Sequence, residues 1–152
     1  MAKQRDVVRM SDAEMAAFLD GCKTMNVATL DKEGAPHLTA LWFAVKDGTY
    51  LFETYGKSQK VVNLRRDPRI ALLWEKGLEY NELRGVSVNG VAEIVESGPQ
   101  LEALMSHLFR RNRPGLSDAE AAEHVAQMIR KRVVIVVRPS KTLSWDHRKL
   151  AA

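Results

Sequence analysis

The sequence predicts a mainly β (α+β) fold, a closed antiparallel barrel of six to seven strands with peripheral helices. Short apolar segments follow one another through tight turns such as Asp47-Gly48, which is typical of antiparallel hairpins. The longest candidate strand contains Gly85 and Gly90, at which a strand of a small barrel bends or bulges. A basic helix follows the third strand and a helical pair precedes the last two, so the helices are expected outside the barrel.

The first part of the chain predicts one helix and a three-stranded meander. Ser11 and Glu14 have the spacing of a capping box, so a helix is expected over about residues 12–23. Strands are expected at residues 25–30, 35–46 and 50–54, joined by turns at 31–34 and 47–48.

The remainder predicts strands around two further helices. A strand is expected at residues 69–75, a loop at 76–82 and a long strand at 83–96, with Val86, Val88, Ala92 and Ile94 on one face. Pro99 opens a helix whose apolar face carries Leu101, Leu104, Met105, Leu108 and Phe109. A second capping box at Ser117 begins a helix with Ala122, Val125, Met128 and Ile129 on its apolar face. The apolar run 133–138 predicts a strand buried on both sides, and residues 142–147 a short final strand.

A glycine and a basic helix follow the strand at residues 50–54. Lys57, Ser58 and Lys60 then lie around the first turn of that helix. A helix N-terminus presents unpaired N–H groups and a positive dipole end, so we expect a phosphate-binding turn here. Residues 57–69 contain five bases and one acid, a net charge of +4 that equals the net charge of the whole chain. The alternative is a solvated basic helix face without a ligand.

Length and composition indicate a single domain over residues 1–152, with 45% hydrophobic and 28% charged residues. No apolar run approaches the roughly 20 residues of a membrane helix. The charged N-terminal segment does not resemble a signal peptide, so a cytoplasmic protein with no membrane partner is expected. Cys22 is the only cysteine, which excludes an internal disulfide and a cysteine-cluster metal site. The four histidines lack metal-ligand spacing, so no metal is expected.

Several motifs in sequence order carry a resemblance to a known family. They are Asn26-Val-Ala-Thr-Leu, Gly34-x-Pro36, Thr39-Ala-Leu-Trp-Phe43, Phe52-x-Thr54, Lys57-Ser58-x-Lys60 and Asn63-Leu-Arg-Arg-Asp-Pro68. In this order the chain resembles the split β-barrel flavin-binding proteins of the pyridoxamine 5'-phosphate oxidase superfamily. The basic segment looks most like the flavin/deazaflavin oxidoreductases of the B group, and the resemblance spans about residues 11–148.

The resemblance implies a homodimer with the cofactor, FMN or the deazaflavin coenzyme F420, at the subunit interface. Matched residues imply the following roles: Lys57, Ser58 and Lys60 hold the phosphate, Thr54 makes a polar contact, and Thr39, Ala40, Leu41, Trp42 and Phe43 edge the ring. Arg65 either reaches an anionic tail or faces water, and Trp42 is a candidate for the substrate pocket. F420 is favoured over FMN because its phosphodiester and polyglutamate tail suit the basic helix.

Such a cofactor carries the hydride itself, so no catalytic acid or base is required of the side chains. The predicted activity is hydride transfer between reduced F420 and a conjugated small-molecule acceptor. The alternatives are an FMN-dependent oxidoreductase of the same fold and a non-enzymatic flavin or haem carrier. Nucleic-acid binding is disfavoured because the aromatic residues at 50–55 are not interleaved with bases. The role of the segment Trp145 to His147, which the resemblance places near a partner's cofactor, stays open.

Overall fold

The computed structural model describes residues 3–151. Its helices are α1 (Gln4–Val8), α2 (Asp12–Asp20), α3 (Gln59–Arg66), α4 (Gly98–Asn112) and α5 (Asp118–Met128). Its strands are β1 (Thr24–Leu30), β2 (Pro36–Trp42), β3 (Ala44–Lys46), β4 (Thr49–Tyr55), β5 (Arg69–Lys76), β6 (Arg84–Val95) and β7 (Arg132–Asp146). Seven antiparallel strands confirm the predicted mainly β (α+β) fold of six to seven strands, but they form one curled sheet with β2 and β3 as its edge strands and not a fully closed barrel. Helix α1 has no counterpart among the predicted elements.

The sheet curls because its two edge strands are consecutive in the chain. The strand order is β2-β1-β5-β6-β7-β4-β3, and every neighbouring pair is antiparallel. Only Phe43 separates β2 from β3, so the two edges of the sheet must lie close together. The single strand predicted over residues 35–46 is therefore wrong. Phe43 is fully buried, with its ring centroid 5.1 Å from that of Trp74, and this buried contact anchors the corner.

The pairing of β6 with β7 places one glycine at a bulge and the other against an indole ring. The register shifts between Asn89 and Gly90, as predicted, and a Cβ on Gly90 would lie 2.6 Å from Arg138 O. At Gly85 the register is regular, so that residue is not at a β-bulge. A Cβ on Gly85 would lie 2.2 Å from the ring of Trp145. Glycine is required there for close packing.

Strand β7 separates two apolar cores. Val133, Ile135 and Val137 point into the barrel, whereas Val134 and Val136 pack beneath α4 and α5, which confirms the strand buried on both sides. The structure joins this segment to the predicted final strand: β7 is continuous to Asp146. On α5 the buried alanine is Ala121, and Ala122 is exposed, because residue 121 lies one turn before Val125 on the same face.

The outer face of β2 is exposed along the strand. Its outward side chains alternate along the strand, and Leu38 is 68% exposed. The register continues this row from Leu38 to Ala28 and Ala71 on the neighbouring strands β1 and β5. An apolar row on an edge strand is unusual for an isolated subunit. In the described part of the chain, no helix has the length and apolar character needed to cross a bilayer.

Candidate functional site

The turn between β4 and α3 brings two hydroxyls beside free backbone donors. Ser58 caps α3, and its Oγ accepts a hydrogen bond from Val61 N at 3.4 Å. Thr54, near the end of β4, donates from its hydroxyl to Ser58 Oγ at 3.2 Å. Within the described chain, no acceptor binds the N–H groups of Gln59 and Lys60. Free N–H groups at a helix start are an anion-binding arrangement.

Lys60 is the second residue of α3 and therefore belongs to the first turn of this helix. Its side chain is half-buried, and among residues 3–151 it forms no ion pair. Burial lowers the pKa of its ammonium group, and the Glu53 carboxylate opposes that shift without reversing it. A half-buried ammonium without a partner is unfavourable. An anion bound at this turn would relieve that cost.

A basic concavity of about 760 Å³ adjoins the turn. Its charged and hydroxyl-bearing wall residues include Lys57, Ser58, Arg130, Lys131 and Arg132, together with one acid, Glu96, which is paired with Arg65. The pairing of β4 with β7 sets Tyr55 opposite Arg132, and Gly56 N donates to Lys131 O at 2.9 Å. From the sequence alone, the three cations at residues 130–132 indicate only a favourable interaction with the dipole at a helix C-terminus. Their place at the site depends on strand pairing across more than seventy residues.

Arg132 is held in place by two neighbours on β4. Its Nη1 donates to both carboxylate oxygens of Glu53, at 2.9 and 2.7 Å. Its Nη2 donates to Tyr55 Oη at 3.1 Å, and the guanidinium carbon lies 4.2 Å from the centroid of the Tyr55 ring. A guanidinium fixed on both sides keeps a defined position at the rim of the concavity.

The strand expected to edge a ring system has two different faces. Ala40 and Trp42 are exposed on the outer face, whereas Thr39 and Leu41 are half-buried on the inner face. Thr39 Oγ1 is buried without a hydrogen-bond partner. Because β2 is an edge strand paired only with β1, one side of its backbone is free to bind a ligand. The side chain of Phe43 is fully buried, so any contact there is made by neighbouring residues.

The arginines of the basic helix have partners, unlike its lysines. Arg65 forms a two-pronged ion pair with Glu96. Arg66 donates to Leu30 O at 2.5 Å. Arg69, just beyond the helix, pairs with Asp67 and holds the pKa of that carboxyl at about 2. Two of the five cationic charges counted in the sequence are therefore compensated by carboxylates, whereas Lys57, Lys60 and Arg66 form no ion pair within the described chain.

The C-terminal segment packs against a short helical turn and a strand of the same chain. His147 Nδ1 lies 2.9 Å from Tyr80 O, and the two rings are 4.7 Å apart. The Trp145 ring covers Gly85. In residues 3–151, no three His, Cys, Asp or Glu side chains are grouped so that they could hold a metal ion.

A curled seven-stranded antiparallel sheet with one helix inserted between β4 and β5 is the architecture of a split β-barrel. The sequence profile of the pyridoxamine 5'-phosphate oxidase family matches residues 11–146, so this chain belongs to that family, as the sequence motifs predicted.

Solved structures agree with this assignment. A conserved hypothetical protein from Mycobacterium tuberculosis is 47% identical, with a TM-score of 0.90 over 99% of this chain and 94% of that one. An F420 reductase is 27% identical, with a TM-score of 0.61 over 83% of this chain and 93% of that one. The heme storage protein of Vibrio cholerae, at 16% identity and a TM-score of 0.71, covers 88% and 94% and shares the fold. No curated protein matches this chain in sequence.

Proposed function

We propose that this protein is an oxidoreductase that binds coenzyme F420 and transfers hydride between it and a conjugated small molecule. The observation that carries the proposal is the half-buried, unpaired Lys60 beside the free N–H groups at the start of α3. Such a group is costly without an anion and favourable with one. The similarity to an F420 reductase supports the choice of ligand.

In this proposal the cofactor phosphate lies at the turn. Lys57 and Lys60 neutralise its charge, and the Ser58 hydroxyl and the N–H groups of residues 59 and 60 donate to it. Thr54 orients the Ser58 hydroxyl through their 3.2 Å hydrogen bond. The free edge and outer face of β2, from Thr39 to Trp42, then lie along the ring. When bound, the cofactor supplies the hydride chemistry, and the protein binds, orients and shields it from water.

The basic concavity favours F420 over FMN. In F420 the phosphate that both cofactors share is a diester that continues into a polyglutamate tail, and Arg130 and Lys131 line the adjoining space of about 760 Å³. FMN ends at its phosphate and leaves those cations unused. Arg65, paired with Glu96, contributes to the field and makes no direct contact unless that ion pair opens.

The proposed active form is a homodimer. The outer face of β2 exposes Leu38, Ala40 and Trp42 on an edge strand, and a second copy packed there would bury this apolar row. A planar cofactor along β2 would then lie at the junction of the two subunits. Covering both the strand edge and the apolar row removes two unfavourable exposures with one interface.

Equilibrium titration tests the choice of cofactor. Purified protein is titrated with F420 and, separately, with FMN, and the change in cofactor fluorescence on binding is followed. We expect tighter binding of F420. Tight FMN binding without F420 binding would overturn the choice of F420, and binding of neither would overturn the site.

A turnover assay separates an enzyme from a carrier. Protein loaded with reduced F420 is mixed with a quinone or a nitroaromatic acceptor, and we expect oxidised F420 to appear faster than without protein. If bound F420 is never reoxidised faster with any acceptor, the protein is a non-enzymatic carrier of the same fold.

A further inference from the structure

A second, smaller pocket lies beside the proposed cofactor site. It has a volume of about 260 Å³ and is enclosed by the end of β2, strands β4 and β7, and the C-terminal ends of α4 and α5. Its apolar walls are Trp42, Leu108, Phe109 and Met128. This volume falls just below the roughly 300–1,000 Å³ of pockets for drug-sized ligands. The pocket therefore suits a compact molecule with a flat apolar body.

Asn112 is a wall residue of this pocket and carries a buried hydrogen-bond acceptor. It lines the pocket and is 7% exposed. Its Nδ2 donates to Phe43 O at 3.2 Å and to Leu108 O at 2.8 Å, which fixes the orientation of the amide. Its Oδ1 is buried, and no group of residues 3–151 forms a hydrogen bond with it. A buried acceptor without a donor is unfavourable in the empty protein, so a ligand with an N–H or O–H group is favoured.

The rim of the pocket is cationic. The Arg113 guanidinium carbon lies 5.4 Å from the centroid of the Trp42 ring, and Lys23 Nζ lies 4.2 Å from it. Arg113 lines the pocket and forms no ion pair among residues 3–151. The one acid of the wall, Glu53, is already paired with Arg132. A carboxylate on the ligand would find a free guanidinium at the rim.

We propose that this pocket binds the acceptor substrate, and that the substrate is a compact planar carboxylic acid bearing an N–H or O–H donor. The carboxylate pairs with Arg113, the flat body packs between Trp42 and Phe109, and the donor binds Asn112 Oδ1. Arg132 lines both this pocket and the basic concavity, so the two spaces adjoin. The assignment as substrate pocket rests on the proposed function, whereas the recognition chemistry does not.

Three related probes test the recognition by isothermal titration calorimetry on the cofactor-free protein. The probes are 4-hydroxycinnamate, 4-methoxycinnamate, which lacks the donor, and 4-hydroxycinnamamide, which lacks the carboxylate. We expect 4-hydroxycinnamate to bind about fivefold more tightly than the methoxy compound, the effect of one hydrogen bond. It should bind about tenfold more tightly than the amide, the effect of one partly exposed charge-assisted contact.

Two variants assign each effect to a residue. Arg113→Gln should abolish the preference for the carboxylate over the amide, and Asn112→Met should abolish the preference for hydroxy over methoxy. After Asn112→Met, both carbonyls that accept from Asn112 Nδ2 still have a donor. Phe43 O also accepts from Arg111 at 3.2 Å, and Leu108 O keeps its hydrogen bond within the helix. The control is Arg110→Gln, on the same helix and paired with Asp118, which should bind all probes as wild type does. If Asn112→Met does not fold, Arg113→Gln and the binding of the three probes to the wild-type protein still test the proposal.

Adding the cofactor separates this inference from the proposed function. Equal binding of all three probes, or no binding of any, would overturn the inference even if F420 binds. Preference for 4-hydroxycinnamate in a protein that binds neither F420 nor FMN would uphold the recognition chemistry and refute the proposed function. If saturating F420 displaces 4-hydroxycinnamate, the pocket belongs to the cofactor and the inference is wrong; simultaneous binding upholds it.

Discussion

Replacing Lys60 with methionine removes one charge from the phosphate-binding turn and keeps the length of the side chain. In the unliganded protein this ammonium is half-buried and has no ion pair among the described residues. The substitution should therefore leave the free energy of unfolding unchanged or raise it by up to about 1 kcal/mol. A residue kept at a cost to stability is expected where a ligand uses it.

The same substitution should weaken cofactor binding strongly. A charge-assisted hydrogen bond contributes about 1.5–3 kcal/mol, so the Kd for F420 should rise about 10- to 150-fold. The substitution should therefore weaken F420 binding without destabilising the fold. A lysine that served only the fold would instead lose stability when replaced. Thermal unfolding of the cofactor-free protein and fluorescence titration with F420 measure the two effects on the same preparation.

The control is Lys32→Met, which removes a lysine from the exposed turn between β1 and β2. It should change neither the melting temperature nor the affinity beyond the effect of net charge. Loss of stability in Lys60→Met together with unchanged affinity would refute the assignment, since Lys60 would then serve the fold and not a ligand.

Three further predictions concern pH, assembly and the barrel. Because burial lowers the pKa of Lys60, the cost of its charge to folding stability is full below the folded-state pKa and disappears as the pH rises to the pKa of the unfolded chain. The affinity for F420 should fall over the same pH range. Lys60→Arg should make that fall smaller in titrations at a series of pH values. Leu38→Lys, on the exposed face of β2, should convert the dimer to a monomer in sedimentation velocity. Leu78→Lys, at a loop residue that is 93% exposed, should leave the dimer intact. A wild-type protein that sediments as a monomer would refute the interface. Gly90→Ala should destabilise the protein by about 1–3 kcal/mol in urea unfolding, since its Cβ meets Arg138 O at 2.6 Å; an unchanged midpoint would show that the bulge relaxes.

Local signals in the sequence predicted the turn itself. Ser58, which the sequence places at the first turn of the basic helix, caps α3, and Asp67 follows the last residue of that helix. Capping boxes at Ser11 and Ser117 begin α2 and α5 as predicted. These features depend on residues three or four apart, so a local sequence pattern contains all the information they need.

Contacts between distant residues were beyond that kind of prediction. Residues 35–46 read as one strand because nothing nearby shows that Phe43 must fill the barrel corner beside Trp74. Arg65 read as a free cation, yet its partner Glu96 lies 31 positions away. The cations of residues 130–132 became part of the site only through the pairing of β4 with β7. In each case a long-range contact decided the role of the residue.

A crystal structure of the protein with bound F420 tests the central claim most directly. The account predicts a dimer in which a phosphate oxygen lies within hydrogen-bonding distance of Lys60 Nζ and of the Ser58 hydroxyl, with the ring along β2. Density for F420 at any other surface, with the turn before α3 unoccupied, would contradict it.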